Sequence, residues 1–527
     1  MNTSEARRTP ASWRRATAAT LILAVCGGAL TACGGSAGSA GGGTTLRMAI
    51  PADEGCIDPA QLLGRSQLTL ARAMVDSLVF QDGEKYQPWL ASAWTVSPDA
   101  KTFTFELRDD VTFSDGSPLT AQTVADNLLT VQQMGAKARL GSSYLATMTA
   151  AKATGEHQVT VTFSEPNASF LQAVSTPSLG IVSSKTVHQD PAKRCLGEFS
   201  GSGSFVLDKY RSNEQIDLVK RKGYDWAPSM PHRGDARYDA VTVSIVPESG
   251  VRAGTLVSGQ NDYITEIQRS DLKTLDRDGI AIESRSNPGI AQQLWVNPKG
   301  PVLSDVAVRK ALEIGVDREQ LIDSTLTKYQ KVATSVLSST TPGYVDLAGE
   351  MTHDAAKAKS ILEDAGWRPG ADGIRSKDGR RLRVSLLYGS QLYGFLVPLM
   401  ELLQQQLKEL GIELTLRPLP DADANTAWIE GDYELRISAL TRSDADALRT
   451  GMAGLDGALD KLLEEQARTV DPAKRKEIVA QAQKMILEQG YSVPINELAL
   501  PMAHSEDVTN VVYTTDSLVL LAELEPR

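Results

Sequence analysis

Side chains able to do chemistry are few in this chain, and most sit where chemistry is unsupported. Gly34-Gly35-Ser36-Ala37-Gly38 formally matches the G-x-S-x-G nucleophile elbow. That motif works only on a tight turn between a strand and a helix. Here it lies inside a Gly/Ser/Ala run from Gly34 to Gly43, so no nucleophile is assigned. The five histidines (His157, His188, His232, His353, His504) show no metal-ligand spacing with one another or with a cysteine. No G-x-x-x-x-G-K-[ST] phosphate loop occurs. No catalytic residue, metal or cofactor is therefore expected. What remains is four cysteines (Cys26, Cys33, Cys56, Cys195) and an acidic stretch, Asp432-Tyr433-Glu434 through Ser443-Asp444-Ala445-Asp446.

The cysteines divide by their surroundings. Arg7, Arg8, Arg14 and Arg15 precede the apolar run Ala16 to Leu30, and small residues lead to Cys33. These are the parts of a secretory signal, residues 1–32. Leu30-Thr31-Ala32-Cys33 resembles the lipobox of bacterial lipoproteins, whose thiol takes a diacylglycerol and whose new amine is acylated too. A transmembrane anchor is the alternative, but the run is shorter than the roughly 20 residues that span a bilayer, and Gly27 and Gly28 interrupt it. Acyl chains, at about 0.8 kcal/mol per buried methylene, would hold the protein to the outside of the cell membrane. Residues 33–43 read as a lipidated flexible tether. Cys56 and Cys195 remain, and in an exported chain they point to a disulfide, the alternative being two buried free thiols. The net charge is −11 and the leader is basic, so the remainder is more acidic still. That argues against nucleic acid as a partner.

The elements needed to position a site alternate in kind. Thr45 to Ile50 reads as a strand and Gln67 to Leu78 as an amphipathic helix. Thr102 to Leu107 and Gln158 to Phe163 alternate strictly, as half-buried strands do. Asp115-Gly116-Ser117-Pro118 is a turn, and Thr120 caps the helix after it. Asp305, Asp317, Thr352 or Asp354, and Asp471 begin further helices, with Arg309 and Arg318 expected on solvent faces or in ion pairs. Strands at Leu382 to Leu387 and Ile412 to Leu416 flank a helix from Val397 to Leu410, which predicts an α/β lobe with a largely parallel sheet. Nearly 500 residues beyond the leader predict more than one lobe.

Several segments resemble the solute-binding proteins of peptide/nickel ABC importers, the oligopeptide- and dipeptide-binding family. They are Pro88 to Ser97, Thr102 to Ala121, Gly201-Ser-Gly-Ser-Phe205, Asn297 to Ala311 continued by Val316-Asp-Arg318, Lys357 to Trp367, and Asp471 to Arg475. They occur in family order and cover most of the chain. The resemblance implies a two-lobed α/β periplasmic-binding-protein fold of class II type. Lobe I would span 44–290 with an extra subdomain at about 81–200, lobe II 291–498, and 499–527 would return to lobe I. A monomer would capture short peptides or peptide-like solutes by lobe closure and hand them to a permease, breaking no bond.

The resemblance also places candidate ligand contacts. Peptide-binding members hold the ligand's ammonium on an acid near this chain's Asp444. Leu440 and Ala447 depart from the family's usual Trp and Pro, and strict spacing from Leu440 would put Ser443 at the acid. Asp444 and Asp446 would otherwise be exposed loop acids. Trp295 precedes the crossing motif's Asn297 and is a pocket wall or core. Tyr388, at a strand's carboxyl end, and Tyr393 and Tyr344 on loops are contacts or packing. Alternatives are a non-peptide solute (metal chelate, oligosaccharide or modified metabolite), a receptor serving signalling or biosynthesis, and, remotely, a secreted hydrolase.

Overall fold

The computed structural model describes residues 44–227, 234–390 and 396–527. The leader, Cys33, the tether up to residue 43 and Tyr393 lie outside them. Two large sheets organise the chain into two lobes. The first has seven strands, in spatial order Ile280–Glu283, Met502–Ser505, Tyr263–Ile264, Thr45–Ile50, Ala240–Ile245, Gln215–Lys220 and Phe205–Arg211. Thr45–Ile50 pairs in parallel with Ala240–Ile245 and Tyr263–Ile264. Leu46, Met48 and Ile50 are fully buried under it.

A smaller four-stranded sheet (Ala91–Val96, Thr102–Leu107, Gln158–Phe163, Met148–Ala153) is attached to this lobe. Its alternation sends Phe103, Phe105 and Leu107 inward together with Val159, Val161 and Phe163. Phe103, Phe163 and Phe170 meet edge to face with centroids 4.8–5.8 Å apart, a geometry the aromatic quadrupole favours. Helix Ala121–Met134 covers the sheet, its first turn closed by Thr120 Oγ1, which accepts from Thr123 N at 3.1 Å. In the Gly201-Ser-Gly motif, a Cβ at Gly201 or Gly203 would overlap the Met74 and Ala73 carbonyl oxygens, so close backbone approach explains both glycines.

Cys56 and Cys195 form a disulfide with Cα atoms 4.1 Å apart, joining the loop after the first strand to the end of helix Pro191–Cys195. Beside it Arg194 donates to Asp58 at 2.8 Å, both side chains essentially inaccessible.

The second sheet runs Glu413–Leu419, Arg383–Gly389, Leu435–Thr441, Gly289–Val296, Ser492–Asn496. It is mixed rather than largely parallel. Arg383–Gly389 is parallel to its neighbours on both sides, and helices Val397–Glu409 and Asp421–Ile429 make the connections. Gly289–Val296 and Ser492–Asn496 reach the sheet from the other lobe or a preceding helix without such a crossover, and pair antiparallel. Asp305, Asp317, Asp354 and Asp471 each cap a helix as their spacing predicts. Both Arg309 and Arg318 are buried; Arg318 is in an ion pair as expected, and Arg309 departs from expectation, being neither on a solvent face nor in an ion pair. Arg318 pairs with Glu313 at 2.8 Å and also donates to main-chain oxygens such as Pro494 O and Met351 O. Arg309 donates only to carbonyls, of Gln489, Leu303 and Ser304. Five guanidinium donors let one arginine close several chain ends at once.

The chain passes between the lobes at 284–288 and again at 497–501. The passages run side by side, with Asn287 N donating to Leu498 O at 2.7 Å and Ser286 bridging Ala499.

Candidate ligand cleft between the lobes

After strand Leu435–Thr441 the chain enters a loop, 442–446, that reaches across to the first lobe. Gln81 Nε2 donates to Ser443 O at 2.7 Å, Ser443 Oγ donates to Gln81 Oε1 at 2.8 Å, and Gln172 Nε2 donates to Ser443 Oγ at 3.2 Å. Ala168 N donates to Ala467 O at 2.8 Å, and Ser169 Oγ to Asp446 at 3.3 Å. These bonds join the two lobes. Beside them is a cavity of about 200 Å³ whose wall includes Gln81, Glu84, Tyr86, Asp444, Arg475 and Lys476.

Asp444 and Asp446 are buried, not exposed loop acids: their exposures are 2% and 1%. Arg475, from helix Pro472–Glu488, grips Asp444 with both terminal nitrogens at 2.6 and 2.8 Å, and Asp446 N donates to Asp444 Oδ1 at 2.7 Å. Burial lowers the Arg475 pKa, but the charge and hydrogen bonds of Asp444 outweigh it and leave the guanidinium raised. Asp446 accepts from Arg449, Arg442 and Gln466. Burial pushes its carboxyl up, and the bond from Arg449 with the charges of Arg449, Arg442 and Arg475 brings it below the usual range. Burial, with a smaller push from Asp444, drives the Tyr86 phenol up, so it stays neutral at the cavity wall.

The other candidates are dispersed. Trp295 is 4% exposed, donates from Nε1 to Ser438 O at 3.0 Å and packs on Gly451, so it belongs to the second lobe's core. Tyr388 is buried among that lobe's aliphatic side chains. Tyr344 is half-buried, its hydroxyl 2.5 Å from Thr334 Oγ1. Arg475 and Gln81 were not identified from sequence. Arg475 stands in the Asp471–Arg475 motif, which signals a helix start and gives no hint of the partner across the lobe.

The family model "Bacterial extracellular solute-binding proteins, family 5 Middle" matches residues 85–456, more than half of the chain. A probable D,D-dipeptide-binding periplasmic protein of Escherichia coli K12 is 26% identical over 491 residues, covering 88% of this chain and 90% of that one. The nickel-binding periplasmic protein of the same organism is 24% identical over 472 residues, covering 83% and 87%. The crystal structure of NikA from Brucella suis with Fe(III)-EDTA superimposes with a TM-score of 0.78 at 21% identity, over 92% of this chain and all of that one. Two lobes, paired crossings and a seam with a cavity thus accompany a sequence match across most of the chain, and the protein belongs to family 5 of the bacterial extracellular solute-binding proteins.

Proposed function

We propose that this protein is a lipid-anchored receptor on the outer face of the cell membrane that captures short peptides or peptide-like solutes between its lobes and delivers them to an ABC permease. The observation that carries the choice of ligand is the seam itself. Its cavity wall presents both signs of charge, Glu84 with Lys476 and Asp444 with Arg475, beside the neutral Tyr86 and the amide of Gln81. A wall of that kind complements a zwitterion with internal amides better than an apolar or singly charged solute. The dipeptide-binding relative supports the same class. Scattered histidines favour a peptide over a metal complex held by protein imidazoles. The candidates Asp444 and Asp446 act in this proposal by fixing Arg475, Arg442 and Arg449 along the seam.

Native mass spectrometry of the full chain in detergent, before and after unfolding and refolding, tests this. A spread of peptide masses lost on refolding, on a protein that begins at a lipid-modified Cys33, is the expected result. A single non-peptide mass would replace the ligand class, and an unmodified amino terminus would remove the anchor.

A further inference from the structure

A second cavity, of about 270 Å³, borders the loop 442–446 and shares no wall residue with the seam cavity. Its walls come from two parts of the chain. Tyr144, Thr147 and Asn167 belong to the subdomain attached to the first lobe. Arg442 and Asp446 lie on the loop after strand Leu435–Thr441, and Arg449 on the short helix Ala447–Met452 that follows it in the second lobe. Apart from the two arginines and Asp446, the lining is uncharged.

The charges at this wall do not cancel. Asp446 accepts from Arg449 Nε and Nη2 at 2.8 and 2.9 Å, from Arg442 Nη1 at 3.3 Å, from Gln466 Nε2 at 2.6 Å and from Ser169 Oγ at 3.3 Å. Five donors occupy the lone pairs of one carboxylate. Asp444 is taken by Arg475 in the same way. Three guanidiniums thus share two buried carboxylates, and one positive charge is left over. Glu165, whose charge reaches Arg449, is exposed and makes no ion pair with it.

Arg442 carries most of that surplus in a poor place for it. Its side chain is 9% exposed, with the guanidinium 4.5 Å from the centre of the Tyr144 ring and Nη1 also donating to Thr450 Oγ1 at 3.1 Å. Arg442 Nε and Nη2, and Arg449 Nη1, have no hydrogen-bond partner among the described residues. A cation buried to that depth is costly unless an anion pairs with it, and a ring face supplies only part of the compensation. Free guanidinium N–H groups match the oxygens of an oxyanion, and the planar fork fixes their directions. The volume holds such an ion with water around it.

We propose that this cavity binds one small oxyanion (phosphate, sulfate or a carboxylate) through Arg442 and Arg449. Because the other wall belongs to the first lobe's subdomain, the ion bridges the two lobes and favours their closed arrangement. The site is separate from the seam cavity and does not depend on which solute the seam takes.

The test dialyses the refolded full chain against labelled phosphate, sulfate or acetate at constant ionic strength, with chloride as the reference salt. Saturable binding of a single equivalent of at least one of the three at millimolar concentration is expected, together with a smaller radius of gyration in solution scattering. Arg449→Gln should weaken that binding about tenfold or more, the loss expected for one charge-assisted contact. Thr147→Glu leaves both arginines in place and brings a carboxylate into the cavity from the subdomain side. It should abolish anion binding without lowering the melting temperature. No saturable binding of any of the three anions, or unchanged affinity in both variants, would overturn the site. Binding that leaves the radius of gyration unchanged would overturn its closing role.

Discussion

Arg475 and Asp444 form a bidentate pair, with side-chain exposures of 17% and 3%, and removing one partner would leave the other charge buried and uncompensated. Asp444→Asn should therefore destabilise the fold by about 3–5 kcal/mol. Replacing both partners with apolar residues, as in Asp444→Leu with Arg475→Met, should recover most of that loss. Chemical denaturation of the two single variants and the double variant measures this, and additive losses would show that the pair is not a unit. The acids were legible in the sequence as a candidate site, but their condition was not. Asp444 stands 31 residues from Arg475 across ordinary helix and loop, so local spacing shows nothing of that pairing, whereas Arg442 is only four residues from Asp446.

At the scale of elements, local rules carry further. Helix starts followed from single side chains: Asp471 Oδ1 accepts from Lys474 N at 2.8 Å, and Asp305 Oδ1 from Ala307 N at 3.0 Å. Strict alternation marked the small sheet's strands because one face packs on helix Ala121–Met134 while the other is open to solvent. The second lobe's mixed pairing was not legible, because strand direction there depends on where the chain arrives from. The disulfide ties two elements 139 residues apart in sequence. Closing a loop of that length should stabilise by about 5 kcal/mol in the chain-entropy model. Cys56→Ser with Cys195→Ser should lower the denaturation midpoint accordingly, and a midpoint unchanged by either substitution or reduction would reject the constraint.

Across the whole molecule, the proposed capture of ligand between the lobes depends on how firmly they hold together. Gln81 contributes two of the bonds across the seam, one to Ser443 O and one from Ser443 Oγ. At about 1 kcal/mol net per bond, Gln81→Leu should weaken closure by roughly a factor of 5 to 30. The expected outcome is a larger radius of gyration in solution scattering together with weaker ligand binding. An unchanged scattering profile with unchanged affinity would show that closure is carried elsewhere.

The sequence by itself determined the family, the lobed α/β architecture and most helix starts, because each rests on short motifs or on a periodicity that local chemistry imposes, and it pointed to a disulfide that the structure then made. Only the tertiary structure decided which polar groups are satisfied. Trp295 became core through packing on Gly451, Arg309 was buried against a carbonyl at the end of a helix 180 residues away, and Gln292 was set opposite Asn496 by strands far apart in the chain. Burial and hydrogen-bond satisfaction belong to neighbours brought together by folding, so no residue carries them in its own local sequence.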